Sequence, residues 1–133
     1  DEASAGEVRH ALRVTFLDSV LARAHVWPAR HAAGGESPNG IPFGALLRLR
    51  ADFVVPGTWT IQAQALARAM QRYGLYVADI GSNLFVQGEP SAQWHPATIT
   101  QLQTLQMSQF EFVDISAVSR DPRFSAGSLQ GAW

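Results

Sequence analysis

The chain has 133 residues, a length that suits one domain with a core of its own. Formal net charge is −1, and the ten basic residues are all arginine, spread from Arg9 to Arg123 with no basic run; that distribution excludes the basic stripe expected of a nucleic-acid binder. Cysteine is absent, which excludes disulfides and cysteine-based zinc sites, and no apolar run approaches the roughly 20 residues that span a bilayer.

Residues 1–6 (DEASAG) read as an exposed lead-in. From Val8 to Phe16 the chain alternates: Val8, His10, Leu12, Val14 and Phe16 share one face, and Arg9, Arg13 and Thr15 the other. A period of two is that of a half-buried strand, and it sets His10 among apolar residues. A second extended piece runs from Leu21 to Trp27 and stops at Pro28. Residues 29–42 hold Gly34, Gly35, Pro38, Asn39, Gly40 and Pro42, the composition of a loop.

Residues 44–53 alternate again, with Ala45, Leu47, Leu49, Ala51 and Phe53 on one side and Arg48, Arg50 and Asp52 on the other. Then the period changes. Thr60 is placed to cap a helix reaching Tyr73, in which Ile61, Ala65, Leu66, Ala69, Met70 and Tyr73 form an apolar stripe. Gly74 stands where a helix ends. Leu75–Ile80 and Leu84–Gln87 read as two strands joined as a hairpin through Gly81, Ser82 and Asn83. A Pro/Trp/His loop covers residues 88–96. A short helix is expected from Thr98 to Gln106 with Ile99, Leu102 and Leu105 inward, and a last strand from Phe110 to Val113. Residues 115–133 are poorly patterned.

No repeat and no domain boundary interrupts residues 1–133. Strands in runs with few helices predict an α+β class: a β-rich sandwich or small barrel with one main packed helix and one short helix. No nucleotide-binding, metalloprotease or nucleophile-elbow motif occurs.

Four histidines, His10, His25, His31 and His95, follow no compact metal-binding spacing, so no metal site is assigned and the cofactor is left open. Asp79 ends a strand beside a permissive Gly-Ser turn, a place suited to a general acid or base, or to a carboxylate that merely accepts backbone N–H groups. Arg9 and Arg30 each precede a histidine, giving pairs able to orient a hydroxyl-rich or anionic ligand. Trp27 suits the core. Trp94, in a polar loop, suits stacking on a sugar face, since an indole is a rigid apolar plate with a polar edge.

Five segments, GEVRHALRVTF (6–16), VWPARH (26–31), IPFGALLRLRADF (41–53), RAMQRYGLYVADIGSN (68–83) and FEFVD (110–114), together resemble the C-terminal half of an uncharacterised family of secreted bacterial proteins of roughly 300 residues. Its members read like GEIRHALRFT, VWPARH, RLKASFDIS, YGMILADNGSNWF and FEVVD. The matching positions are Arg9, His10, Trp27, Arg30, His31, Asp79, Gly81, Ser82 and Asn83; His25 stands where an aromatic is usual, Ile80 replaces an Asn and Leu84 an aromatic. A fainter likeness links the Ile41-Pro42-Phe43-Gly44 strand and the later Val77-Ala78-Asp79-Ile80-Gly81 to double-psi β-barrel proteins that act on glycans.

The resemblance implies a secreted, extracellular or periplasmic protein acting on a polysaccharide or oligosaccharide. The expected activity is that of a hydrolase or lyase with Asp79, His10 and His31 as catalytic groups and Arg9, Arg30, Ser82 and Asn83 holding substrate, with Trp94, read from its loop and not from the resemblance, as a further substrate-binding residue. A non-catalytic carbohydrate-binding module is the alternative. So is a structural subunit paired with an N-terminal partner chain, since the family's N-terminal half has no counterpart in these residues.

Overall fold

A computed structural model of the chain describes residues 2–122. Its strands are β1 (Leu12–Phe16), β2 (Leu21–His25), β3 (Ile41–Phe43), β4 (Leu46–Leu49), β5 (Leu75–Ile80), β6 (Phe85–Gln87) and β7 (Phe110–Phe112). The helices are α1 (Ile61–Arg72), α2 (Pro96–Leu102) and the single turn α3 (Ser116–Ser119). Five strands form one mixed sheet in the order β6-β1-β5-β4-β7, and β2 and β3 form a small parallel pair. The class is α+β as the patterning predicts. The five-strand order is linear, with β6 and β7 as edges, so this sheet is not closed into a barrel.

Alternation explains most of the core. Leu47 and Leu49 are buried on β4 while Arg48 points out to pair with Glu111 of β7 at 2.6 Å. Leu75 and Val77 of β5 and Val14 of β1 belong to the same buried cluster as Leu66 and Met70 of α1. Burial of each such side chain stabilises by about 1.5–3 kcal/mol. Thr60 caps α1 by accepting the Ala63 N–H at 3.1 Å. Gly74 ends the helix at φ +79°, a left-handed conformation that costs glycine little. From there the chain enters β5 at once, because the Leu12 N–H takes the Gly74 carbonyl at 2.9 Å.

The structure departs from the sequence expectations at several points, each with a local cause. β5 and β6 do not form a hairpin: β1 lies between them, parallel to β5 and antiparallel to β6. The 81–84 turn is fastened to β1 instead. Thr15 Oγ1 donates to the Ser82 carbonyl at 2.9 Å, the Leu17 N–H donates to Asn83 Oδ1 at 3.1 Å, and Leu84 takes φ +53°, which throws the chain across. β1 starts at Leu12, so His10 lies outside the alternation and is exposed rather than set in the apolar face. The pairing with β5 shifts register between Val14 and Thr15, and Thr15 is buried at 1% exposure.

β4 ends at Leu49, and a turn closed by the Phe53 N–H on the Arg50 carbonyl leaves Ala51 exposed. On α1 the stripe is rotated: Ile61 is 64% exposed, whereas Gln62, Ala63 and Ala67 are buried. α2 begins earlier than expected, at Pro96, whose ring suits the first helical turn. Its inward residue near the start is Thr98, and Ile99 is exposed. The lead-in is not wholly exposed either, for Ala3 is buried in the core. Within the weakly patterned 115–133 stretch, residues 123–133, including Trp133, lie outside the described residues.

Candidate functional site

A concavity forms where the N-terminal segment meets the loop between β6 and α2. Both pieces are held to α1 by one side chain. Gln62 is buried, and its amide makes four hydrogen bonds. Nε2 donates to Ser4 Oγ at 3.0 Å and to the Gln93 carbonyl at 2.9 Å. Oε1 accepts from the His95 N–H at 2.9 Å and from Thr98 Oγ1 at 3.1 Å. Thr98 Oγ1 in turn meets Thr60 Oγ1 at 2.6 Å, so the α1 cap belongs to the same network. A buried amide uses its two donors and its acceptor oxygen in full here, as a buried polar group must.

The resulting cleft has a volume of about 570 Å³. Leu12, Leu66, Val8 and Ala3 give its apolar lining, and Glu2 and His10 supply polar groups from the N-terminal side. Residues Gly88–Ser91, Gln93 and Trp94 supply the rest. Trp94 is half-buried against the core, and its indole N–H donates to the Glu89 carbonyl at 2.8 Å. That bond fixes the plane of the ring. The loop is further braced by the Gln93 N–H on Ser91 Oγ at 3.1 Å. His95 Nδ1 accepts the Ala97 N–H at 3.1 Å, so this histidine serves as the α2 cap.

His10 Nδ1 lies 2.8 Å from the Ala11 carbonyl and Nε2 lies 3.1 Å from Glu2 Oε2. Both neighbours are acceptors, and only the doubly protonated ring can donate to both. The Ala11 carbonyl first, and then the Glu2 carboxylate, hold the His10 pKa above the ordinary histidine value; partial burial opposes them.

Of the eight candidate residues named from the sequence, the structure brings two, His10 and Trp94, into this cleft. Arg9 is turned away: its guanidinium pairs with Glu7 at 2.8 Å, raising the arginine pKa and lowering that of Glu7. Asp79 stands beside Thr15 in the parallel β1/β5 register, three residues past Leu12 and so about 10 Å along the strand from its start. His10 lies before that start, and the two groups are therefore not within reach of each other. The Asp79 carboxylate accepts the Ile80 N–H at 2.8 Å. Ser82 and Asn83 sit in the turn beside it, with the Ser82 carbonyl and the Asn83 side chain already bonded to β1. Arg30 and His31 are exposed in the loop after the cis Trp27–Pro28 bond, apart from the cleft lining. Trp27 is half-buried.

Sequence reasoning missed Glu2, Glu89 and Gln62. Gln62 had a signal: a glutamine inside an alanine-rich helix can only be buried if partners wait for it. Among the described residues no three His, Asp or Glu side chains gather so as to hold a metal ion. No described helix is long and apolar enough to cross a membrane. No family model matches the chain, and no curated protein or solved structure is significantly similar to it.

Proposed function

We propose that the domain is a secreted glycan-binding module that seats a saccharide unit in the Trp94–His10 cleft. The observation that carries this reading is a fixed indole beside polar groups over an apolar lining, in a concavity of about 570 Å³. Small-ligand sites fall in the range of roughly 300–1,000 Å³ and combine an apolar surface with a few placed polar groups. A sugar presents the matching surface, an apolar face of C–H groups edged by hydroxyls, and aromatic rings stack on that face. Ser91 and Gln93 on the loop and Glu2 on the opposite side supply donors and acceptors for hydroxyls. The resemblance of the 6–114 motifs to secreted bacterial proteins supports the extracellular setting.

The test is co-sedimentation with insoluble polysaccharides, comparing the wild type with Trp94→Ala and Trp94→Phe, each checked for folding by circular dichroism. The reading expects retention by at least one polysaccharide, loss in Trp94→Ala and partial retention in Trp94→Phe. Unchanged retention in a folded Trp94→Ala would move the site elsewhere.

A second reading, cleavage in place of binding alone, is favoured by the two acidic residues that line the same cleft, Glu2 and Glu89. Glycoside hydrolysis commonly uses a pair of carboxyl groups. In this version Asp79 has no part, because the β1/β5 register keeps it away from His10. New reducing ends released from a retained polysaccharide, and abolished by Glu89→Gln, would establish cleavage; their absence would leave binding.

A further inference from the structure

We infer that the cleft prefers saccharides bearing a protonated amine to neutral sugars and to uronic acids; this rests on the glycan-binding reading and names the ligand class of the same site. Among the described residues, the charged or titratable residues that line the cleft are Glu2 from the N-terminal segment, His10 from the approach to β1 and Glu89 from the loop before α2. α1 contributes Leu66 and no charge. The chain carries ten basic residues, all arginine, and none of the nine among the described residues lines the cleft. The nearest in sequence, Arg9, is directed to Glu7.

Among the described residues, the one lining group able to carry a positive charge, His10, faces Glu2 through Nε2 and the Ala11 carbonyl through Nδ1. Both of its donors are therefore spent on the protein, and a ligand carboxylate finds no cation to meet it. An ammonium group meets the opposite situation. Among the described residues the Glu89 carboxylate has neither a hydrogen bond nor an ion pair, and only its backbone carbonyl is occupied, by the Trp94 indole. Glu89 thus lines the same cleft as Trp94 with its charge uncommitted. A sugar lying on Trp94 with an amine on its ring edge gains an ion pair there, while a uronate brings like charge against like.

The probes are soluble β-1,4-linked glucosamine, N-acetylglucosamine and glucose oligomers of equal length, with an oligogalacturonate as the acidic member, measured by isothermal titration calorimetry. An exposed ion pair contributes enough for about a fivefold change in affinity at low ionic strength. The glucosamine oligomer should bind about fivefold more tightly than the glucose oligomer, and the oligogalacturonate most weakly. Added salt should narrow the gap. Glu89→Gln should remove most of the preference for the glucosamine oligomer over the glucose oligomer. Equal affinity for the amine and neutral oligomers, or a preference for the uronate, would overturn the inference and leave the glycan site standing. Binding of none of the four, by a folded protein that also fails to sediment with polysaccharide, would overturn both.

Discussion

Replacing Gln62 tests the claim that one buried amide builds the cleft. Gln62→Leu keeps the volume of the side chain and removes four hydrogen bonds. At about 1 kcal/mol net for each bond, the upper bound is about 4 kcal/mol. Ser4, Gln93 and His95 belong to exposed residues that can turn to water, and Thr98 keeps Thr60 at 2.6 Å. The expected cost is therefore about 2–3 kcal/mol, a fall in Tm of roughly 10 °C for a domain of this size. Gln62→Glu is the sharper variant. Its carboxylate still accepts from His95 and Thr98, but its second oxygen faces the Gln93 carbonyl at the position where Nε2 donates.

Burial raises the pKa of such a glutamate above its unfolded value, so its destabilisation grows as pH rises through the raised folded pKa and is relieved as pH falls. Urea unfolding of Gln62→Glu and wild type between about pH 8 and pH 5 reads this directly. The variant should approach the wild type toward the acid end. A cost below about 0.5 kcal/mol for Gln62→Leu, or a pH-independent cost for Gln62→Glu, would refute the hub.

Other expectations follow from the same geometry. His10 should titrate by NMR with a midpoint above the ordinary 6.5, because its protonated ring donates to Ala11 and Glu2. Glu2→Gln should lower that midpoint only part of the way, since the Ala11 carbonyl, the larger cause, remains; an unmoved midpoint would deny the pair. The stability His10 contributes is present below the unfolded histidine pKa and is lost as pH rises through the raised value, and its exposure keeps the contribution small. Gly74→Ala should cost more than about 2 kcal/mol by thermal denaturation, because φ is +79° and the added Cβ would strike the Leu47 carbonyl oxygen. A near-neutral result would refute the left-handed turn between α1 and β5. Leu47→Ala, at a fully buried position on β4, should lose about 2–5 kcal/mol in denaturant unfolding.

Local chemistry was legible in the sequence wherever it decided the outcome. The Thr60 cap, the α1 body, the Gly74 stop and the buried Leu47/Leu49 face all follow from spacing and residue type. What sequence could not show was pairing between distant segments. The 81–83 turn reads as a hairpin because its residues permit one. Thr15 and Leu17, nearly seventy positions earlier, capture that turn and insert β1 between the two strands.

The same limit governs the site. His10 and Trp94 were visible as residues of interest, but their partners were not. Glu2 sits in a lead-in without pattern, and Glu89 in a loop whose polar composition is ordinary. Asp79 is readable from its turn as an acid or base or as an acceptor of backbone N–H groups, and its carboxylate accepts the Ile80 N–H.

The most direct test of the glycan-binding account is a two-dimensional NMR titration of the labelled protein with a saccharide that it retains. The account predicts perturbations confined to the Trp94 indole N–H, the 88–93 backbone and His10. Perturbations centred on Asp79, Ser82 and Asn83, with the Trp94 signals unmoved, would contradict it.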